Sequence, residues 1–394
     1  MSAAPADSAP PSARAPRDGR PQDGRPQGWV VRRGSADSVR LFGLSPEERL
    51  LRALRRAGCS EPRAVDADAL PRVASAVLAL RADVALDERL VEALRDRPDT
   101  LLETRELGAV GGHVAGSRAA ELVRVLAGGA PAPDALRRVV PEQLVPAYLA
   151  KLRKREPPWV VEARSDRVAA IERQLFGASY KGLTDLVTKW VWPRPAAAAT
   201  RWCAERGIRP NTVTLWSWVL AIAAFWLFAQ GAFGAGLLCA WAMTFLDTVD
   251  GKLARVTLTS SRAGDVLDHG LDLVHPPFWW WAFGAGLGAG HALATGIAVG
   301  GYLVGRALEG AFLARFGFET HSWRPIDGLF RTITARRNPN LILLSVGWLG
   351  GRADLGLVMV ALWTLASLAF HGARLAQAET RRARGEVIAP WEGA

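Results

Sequence analysis

The sequence predicts an α-helical polytopic membrane domain of six transmembrane helices, preceded by a small α/β soluble domain. Three observations carry this. Six apolar segments crowd the second half of the chain, at about 213–229, 233–246, 266–287, 292–312, 340–349 and 355–370. The chain holds 16 Trp and 39 Gly against only 3 Tyr, a balance that suits membrane helices, where Trp anchors the interface and Gly permits close packing. Before them, residues 29–164 mix amphipathic and short apolar stretches as soluble α/β domains do. At 394 residues, two domains are the default. The expected division is a tail at 1–28, an α/β domain at 29–164, interfacial helices at 165–209, the six-helix domain at 210–376 and a tail at 377–394.

Charge and cysteine narrow the class. The formal net charge is +11, which suits either nucleic acid or an anionic membrane surface, and the apolar segments favour the membrane. No nucleic-acid partner is expected. Cys59, Cys203 and Cys239 are widely spaced with no C-x-x-C pattern. They indicate neither a disulfide framework nor a zinc knuckle and read as small buried apolar residues.

In chain order, residues 1–28 are rich in Pro, Ala, Asp and Arg, so a disordered tail without a signal-peptide core is expected. Residues 46–57 have helical periodicity, with Ser45 as cap and Gly58 as stop. An apolar strand at 73–80 delivers Asp83 near its end, and a helix follows at 87–96. Residues 109–116, A-V-G-G-H-V-A-G, read as a glycine-rich turn. Between 165 and 209, Trp190, Trp192 and Trp202 alternate with Lys181, Lys189, Arg194 and Arg201. That mixture suits helices lying in the interface with snorkelling bases.

Pro210 opens the first span, with Asn211 and Thr214 directed toward the cytosolic side. Several apolar segments fall short of the ~20 residues a hydrocarbon core requires, so their helices must continue into polar flanks. Pro276 and Pro277 should kink the third span. Loop charge gives orientation: Lys252, Arg255 and Arg262 lie in one loop, Arg324, Arg331, Arg336 and Arg337 in another, and Arg381, Arg382 and Arg384 in the tail, while only Arg352 lies opposite. By the positive-inside bias, both termini and the polar ends of the second and third spans face the cytoplasm of an inner or plasma membrane.

Those polar ends carry the chemistry. Asp247, Asp250 and Ala254 recur at i, i+3 and i+7, and Gly264, Asp268 and Asp272 at i, i+4 and i+8, so each set occupies one face of a helix. Single aspartates at helix ends often serve as caps. Four beside strongly apolar sequence are expensive and imply function. Two such faces opposed would form a carboxylate cluster that needs divalent cations, and hard oxygen ligands without a nearby thiolate favour magnesium, manganese or calcium. Gly251 and Gly264 let a ligand approach the helix backbone. His269 and His275 are rival bases, but His269 is off the face shared by Asp268 and Asp272.

These residues, D-T-V-D-G-K-L-A-R, eight residues, then G-D-V-L-D-H-G-L-D, resemble the signature of the CDP-alcohol phosphatidyltransferases, D-x2-D-G-x2-A-R-x8-G-x3-D-x3-D, at every fixed position. The resemblance covers roughly the second half of the chain. It implies a membrane phosphotransferase that moves a substituted phosphate from a CDP-alcohol donor to an alcohol or phosphorylated polyol acceptor and releases CMP. Such chemistry serves phospholipid or inositol-phosphodiester synthesis. It further implies Mg2+ or Mn2+ at Asp247, Asp250, Asp268 and Asp272, Asp272 as the catalytic base, membrane lipid as a partner and a homodimer as the expected assembly. The P-N-x-x-T at Asn211 and Thr214 resembles the family's segment near the cytidine nucleotide, and the motif's Gly251, Lys252, Ala254, Arg255 and Gly264 are expected to line the donor site. For a phosphorylated acceptor the candidates are Lys181, Arg262, Arg306, Arg336 and Arg337, the last two foremost.

Residues 29–164 resemble a shortened nucleotidyltransferase-like domain, as found fused to some members of this family. A glycine-rich G-x-G-x-R-L phosphate loop is missing: the nearest candidate is Arg33-Gly34-Ser35 with Arg40-Leu41. The domain is therefore expected to be inactive, with Asp83 structural. With no CDP-polyol made in the chain, CDP-diacylglycerol is favoured over a CDP-polyol as donor. The Gly-rich stretches 284–290 and 300–305 would admit its acyl chains laterally. The alternative is a retired metal- or nucleotide-binding membrane protein whose soluble domain recruits a partner.

Overall fold

The computed structural model describes residues 24–33, 39–149, 152–260 and 262–391, and for 262–269 and 271–273 the backbone alone. The tail expected over residues 1–28 lies outside the described residues as far as position 23, and so do Gly34 and Ser35 of the phosphate-loop candidate.

An N-terminal α/β sheet domain comes first. Its elements are β1 (Gln27–Val31), α1 (Pro46–Arg56), β2 (Ser60–Val65), β3 (Val77–Arg81), β4 (Val84–Leu86), α2 (Glu88–Arg95), β5 (Thr100–Thr104), β6 (Gly108–Val114), α3 (Ala119–Ala127), β7 (Arg137–Val139) and α4 (Pro141–Leu144). Six strands form one sheet in the order β2-β1-β3-β6-β5-β7. β1 runs parallel to both β2 and β3, whereas β6 is antiparallel to β3 and β5. One face of the sheet packs Leu50, Leu54, Leu90 and Leu94 of α1 and α2, and the other packs Leu122, Val123 and Leu126 of α3.

Local signals account for the helices. Ser45 Oγ accepts the Glu48 N–H at 3.1 Å and Pro46 occupies the first turn of α1, the arrangement that favours a start at that point. Gly58 follows with φ +81°. Asp87 caps α2 by accepting the Arg89 N–H at 3.0 Å. The glycine-rich stretch is different. Expected as a turn, it forms β6, a central strand. The reason lies in its neighbours: a Cβ on Gly111 would sit 2.6 Å from Leu80 Cδ2, and one on Gly112 2.7 Å from Leu122 Cδ1. Gly111 makes room for the Leu80 side chain of β3, and Gly112 lets α3 close onto the sheet.

A hairpin of β8 (Tyr148–Leu149) and β9 (Lys154–Arg155) follows, then β10 (Val160–Glu162), which pairs with β4. α5 (Val168–Ala178) and α6 (Pro193–Glu205) lead to the helical region. Trp190 and Trp202 on this connecting stretch are exposed.

The helical region comprises α7 (Pro210–Ala229), α8 (Phe233–Val256), α9 (Arg262–Leu287), α10 (Ala292–Phe316), α11 (Pro325–Arg331), α12 (Arg337–Leu349) and α13 (Ala353–Ala383). Each apolar segment thus lies on a helix. Among the described residues three helices are long and apolar enough to cross a membrane: Pro210–Ala229, Ala289–Phe316 and Ala353–Ala383. α12 has 13 residues, about 20 Å of rise against a hydrocarbon thickness of about 30 Å. α8 continues well past its apolar run and carries the first half of the aspartate motif on one continuous helix. α9 runs through Pro276 and Pro277. Trp279, Trp280, Phe283 and Phe228 fill the centre, while Trp216, Ile222, Trp226, Trp281 and Leu362 are exposed. Apolar side chains both inside and outside are what a lipid-facing bundle requires.

A further apolar cluster joins the two regions, with Leu41 and Phe42 packed among Ile171, Phe176, Cys203, Val249 and Leu253. Phe42 N–H also donates to Glu172 Oε1 at 2.8 Å. Cys59 and Cys203 are buried and Cys239 is half-buried. Burial pushes the Cys59 thiol up to about 11, which leaves it inert.

Candidate active site

Asp247 and Asp250 lie on α8 one turn apart, and each is held by a partner from another helix. Arg337 Nη2, at the start of α12, reaches Asp247 Oδ2 at 2.6 Å. Thr214 Oγ1, in the first turns of α7, donates to Asp250 Oδ2 at 2.6 Å. Asp250 Oδ1 also accepts its neighbour's Gly251 N–H at 2.5 Å. Both carboxylates are nearly buried, so these contacts fix their rotamers as well as offset the desolvation of their charge. Asn211, by contrast, stays exposed at the start of α7.

Gly251 opens toward the cavity, because a Cβ there would meet nothing nearer than Arg255 Nη1 at 3.7 Å. Lys252 is buried. Its Nζ donates to Ser179 O at 3.0 Å and lies 3.3 Å from the centre of the Tyr180 ring. Arg255 Nη1 shares the Ser179 carbonyl at 3.3 Å. Ala254 is half-buried on the same helix. Arg262, Gly264, Asp268, His269 and Asp272 occupy the first three turns of α9, and their side chains lie outside the described residues. His275 is buried with its ring edge-on to Trp279 at 4.5 Å.

Asp247, Gly251, Lys252 and Arg255 line a cavity of about 400 Å3. Its other walls come from α10, the segment between α10 and α12, the juxtamembrane stretch 180–188 and Arg153 in the β8–β9 hairpin. Eight Lys and Arg side chains stand on this wall against four Asp and Glu. The excess favours an anionic ligand. Of the acceptor candidates, Lys181, Arg306, Arg336 and Arg337 are on the wall. Three are tied to carboxylates: Arg337 holds Asp247, and Arg336 joins Arg306 in donating to Glu309 Oε2.

Arg331 was read from the sequence only as a loop charge, yet it sits inside this cavity. α11 is fastened by Arg374, which grips Asp327 through two hydrogen bonds of 2.5 and 2.7 Å. That docking turns the last residue of α11 inward. Arg331 Nε and Nη1 are buried and, among the described residues, have no hydrogen-bond partner. Burial, then the neighbouring Arg336, pulls its guanidinium down to about 9, so it remains a cation at neutral pH. A buried cation with unmet donors is costly until an anion arrives. No periodic or spacing signal in the short segment 325–336 would have picked it out.

Asp185 closes the same wall. It accepts from Thr188 Oγ1 at 2.7 Å and Asn338 Nδ2 at 2.9 Å, which ties the juxtamembrane stretch to α12. Burial opposes its charge, but the Asn338 bond and the nearby Arg331 outweigh it and hold the carboxyl below its ordinary range. His321 Nε2 lies 2.9 Å from Glu319 Oε2, and burial draws the imidazole down to about 4. It is therefore neutral at physiological pH and leaves the charge balance of the wall to Lys and Arg.

The donors at Asp247 and Asp250 are carboxylate oxygens, a set suited to a hard divalent cation such as magnesium. Among the described residues there is no group of three or more His, Cys, Asp and Glu that could hold a metal ion. The remaining motif carboxylates, Asp268 and Asp272, are outside that set.

Residues 208–367 match the model of the CDP-alcohol phosphatidyltransferase family. Comparison with curated proteins finds no match. Among solved structures, the chain is similar to the phosphatidylinositol phosphate synthase of Mycobacterium tuberculosis, crystallised with CDP-DAG bound. The identity is 19%, the TM-score is 0.38, and the match covers 46% of this chain and 94% of that one.

Proposed function

We propose that this protein is a membrane phosphotransferase that transfers the phosphatidyl group of CDP-diacylglycerol to a phosphorylated polyol and releases CMP. The family match at residues 208–367 supports the reaction class. The observation that carries the reading is the meeting of Asp247 with an arginine-rich cavity that includes the unpartnered Arg331. A phosphate-bearing acceptor would satisfy those donors beside the carboxylates.

In this reading the acceptor hydroxyl attacks the donor phosphorus that bears diacylglycerol, and the bond to the bridging oxygen breaks, so that oxygen leaves with CMP. Asp272 takes the hydroxyl proton. Asp247, Asp250, Asp268 and Asp272 would hold magnesium, whose charge would offset that of the pyrophosphate and of the leaving CMP. Lys252 and Arg255 orient the donor phosphates. Arg337 and Thr214 hold the first two carboxylates in place. All six apolar helices cross or enter the membrane, with the site and both termini on the cytoplasmic side by loop charge.

The N-terminal domain makes no CDP-polyol in this reading. Asp83 supports that view: Arg81 binds it through Nε at 2.9 Å and Nη2 at 2.7 Å, which occupies both carboxylate oxygens. With CTP and a panel of polyol phosphates, the full chain is expected to release no pyrophosphate above background. Release would make the protein bifunctional.

The test of the reaction uses membranes holding the full chain, with Mg2+, a panel of polyol and polyol-phosphate acceptors, and either CDP-diacylglycerol or CDP-inositol. CMP is expected with CDP-diacylglycerol. CMP only with CDP-inositol overturns the donor, and none with either leaves a retired binding protein.

A further inference from the structure

The loop that joins the two halves of the aspartate motif is not an ordinary exposed turn. α8 ends at Val256 and α9 begins at Arg262, so a short connection joins the two helices. A helix end presents carbonyls that lack intrahelical partners. Here they are met from the other domain: Arg49 Nη1 donates to Val256 O at 2.5 Å and Arg52 Nη1 to Thr257 O at 2.7 Å. Both arginines lie on α1. Two guanidinium groups at that end also oppose the negative pole of the helix.

Leu258 adds a third fastening. It is only 5% exposed and belongs to the apolar core of the α/β domain, together with Leu50, Ala53 and Leu54 of α1 and Leu90 of α2. Its backbone has φ +58°, a conformation that L residues other than Gly, Asn and Asp seldom adopt. Such geometry persists where the surroundings over-determine it. Thr257 Oγ1 closes the turn onto Leu253 O at 2.6 Å. Asp250 lies six residues before Val256, about 9 Å along the helix, so a tilt at this joint carries directly to the carboxylates.

We propose that the N-terminal α/β domain is a clamp for the aspartate loop, with Leu258 as its plug and Arg49 and Arg52 as positioning residues that fix α8 against α9. This inference rests on the proposed phosphotransferase reading. These three residues thereby act on transfer without touching substrate.

The test uses the full-length chain in detergent micelles with CDP-diacylglycerol, and three variants. Leu258→Ala is expected to lower kcat for CMP release at least tenfold, with KM for CDP-diacylglycerol within about threefold, and to speed hydrogen exchange at amides 257–272. Leu258→Met, which keeps the plug, should restore both. Leu126→Ala truncates a buried leucine on the opposite face of the sheet and controls for general loss of domain stability; its kcat should stay within twofold of the parent. The clamp is overturned if Leu258→Ala leaves kcat or exchange at 257–272 unchanged, or if Leu126→Ala lowers kcat equally. Should the parent chain release no CMP, the phosphotransferase reading fails, and exchange at 257–272 in Leu258→Ala still decides the clamp.

Discussion

Replacing Asp272 with Asn is expected to reduce CMP release by about a thousandfold, within the range that general-base catalysis commonly contributes. The substitution keeps size and one hydrogen-bonding oxygen but removes the carboxylate proposed to accept the hydroxyl proton. Asp247 and Asp250 keep their partners Arg337 and Thr214, so binding of CDP-diacylglycerol and of Mg2+ should stay close to that of the parent chain. Equilibrium binding of the donor measured beside CMP release separates the two effects. Near-normal turnover would remove Asp272 from the base role, and loss of donor binding would make it principally a ligand.

Arg331→Met should raise KM for a phosphorylated acceptor about a hundredfold with little change in kcat. A hydrogen bond to a charged group contributes about 1.5–3 kcal/mol, and each 1.4 kcal/mol is tenfold. Arg331 has two buried donors without a partner, so both are available to a phosphate. Met fills a similar volume without charge. Two buried donors of this cation lack a hydrogen-bond partner among the described residues, while Asp185 and Glu309 attract its charge, so its removal should change the thermal midpoint measured without acceptor little. Arg336 would be a poorer choice, since its loss removes one of the two arginines that hold Glu309. An unchanged KM for the phosphorylated acceptor would mean that the acceptor phosphate does not reach this wall.

Legibility followed the range of the interaction. α1 and α2 were readable because a cap, a stop and an apolar stripe lie within a dozen residues of one another. The strand expected from residue 73 starts only at Val77, and β6 was taken for a turn. Its glycines face Leu80 and Leu122, partners that no window along the chain contains. Spacing placed Asp247 and Asp250 on one face of a helix, and α8 does carry them one turn apart. It could not say that Thr214 and Arg337, 36 and 90 residues away, would hold them.

The sequence by itself determined the pattern on which the reading rests: fixed aspartates and glycines, apolar segments of near-membrane length and, before them, a stretch that mixes amphipathic and short apolar segments. These are properties of neighbouring residues and of the cost of placing charge in apolar surroundings. Only the tertiary structure decided which cations serve which end. Arg331 becomes a buried, unmet donor because Arg374 on α13 docks α11 through Asp327. Leu258 leaves its own helix to enter the core of the other domain, beside arginines more than 200 positions earlier. A Leu or Arg in a short loop carries no local mark of its partner; burial and charge balance select that partner when the two domains pack.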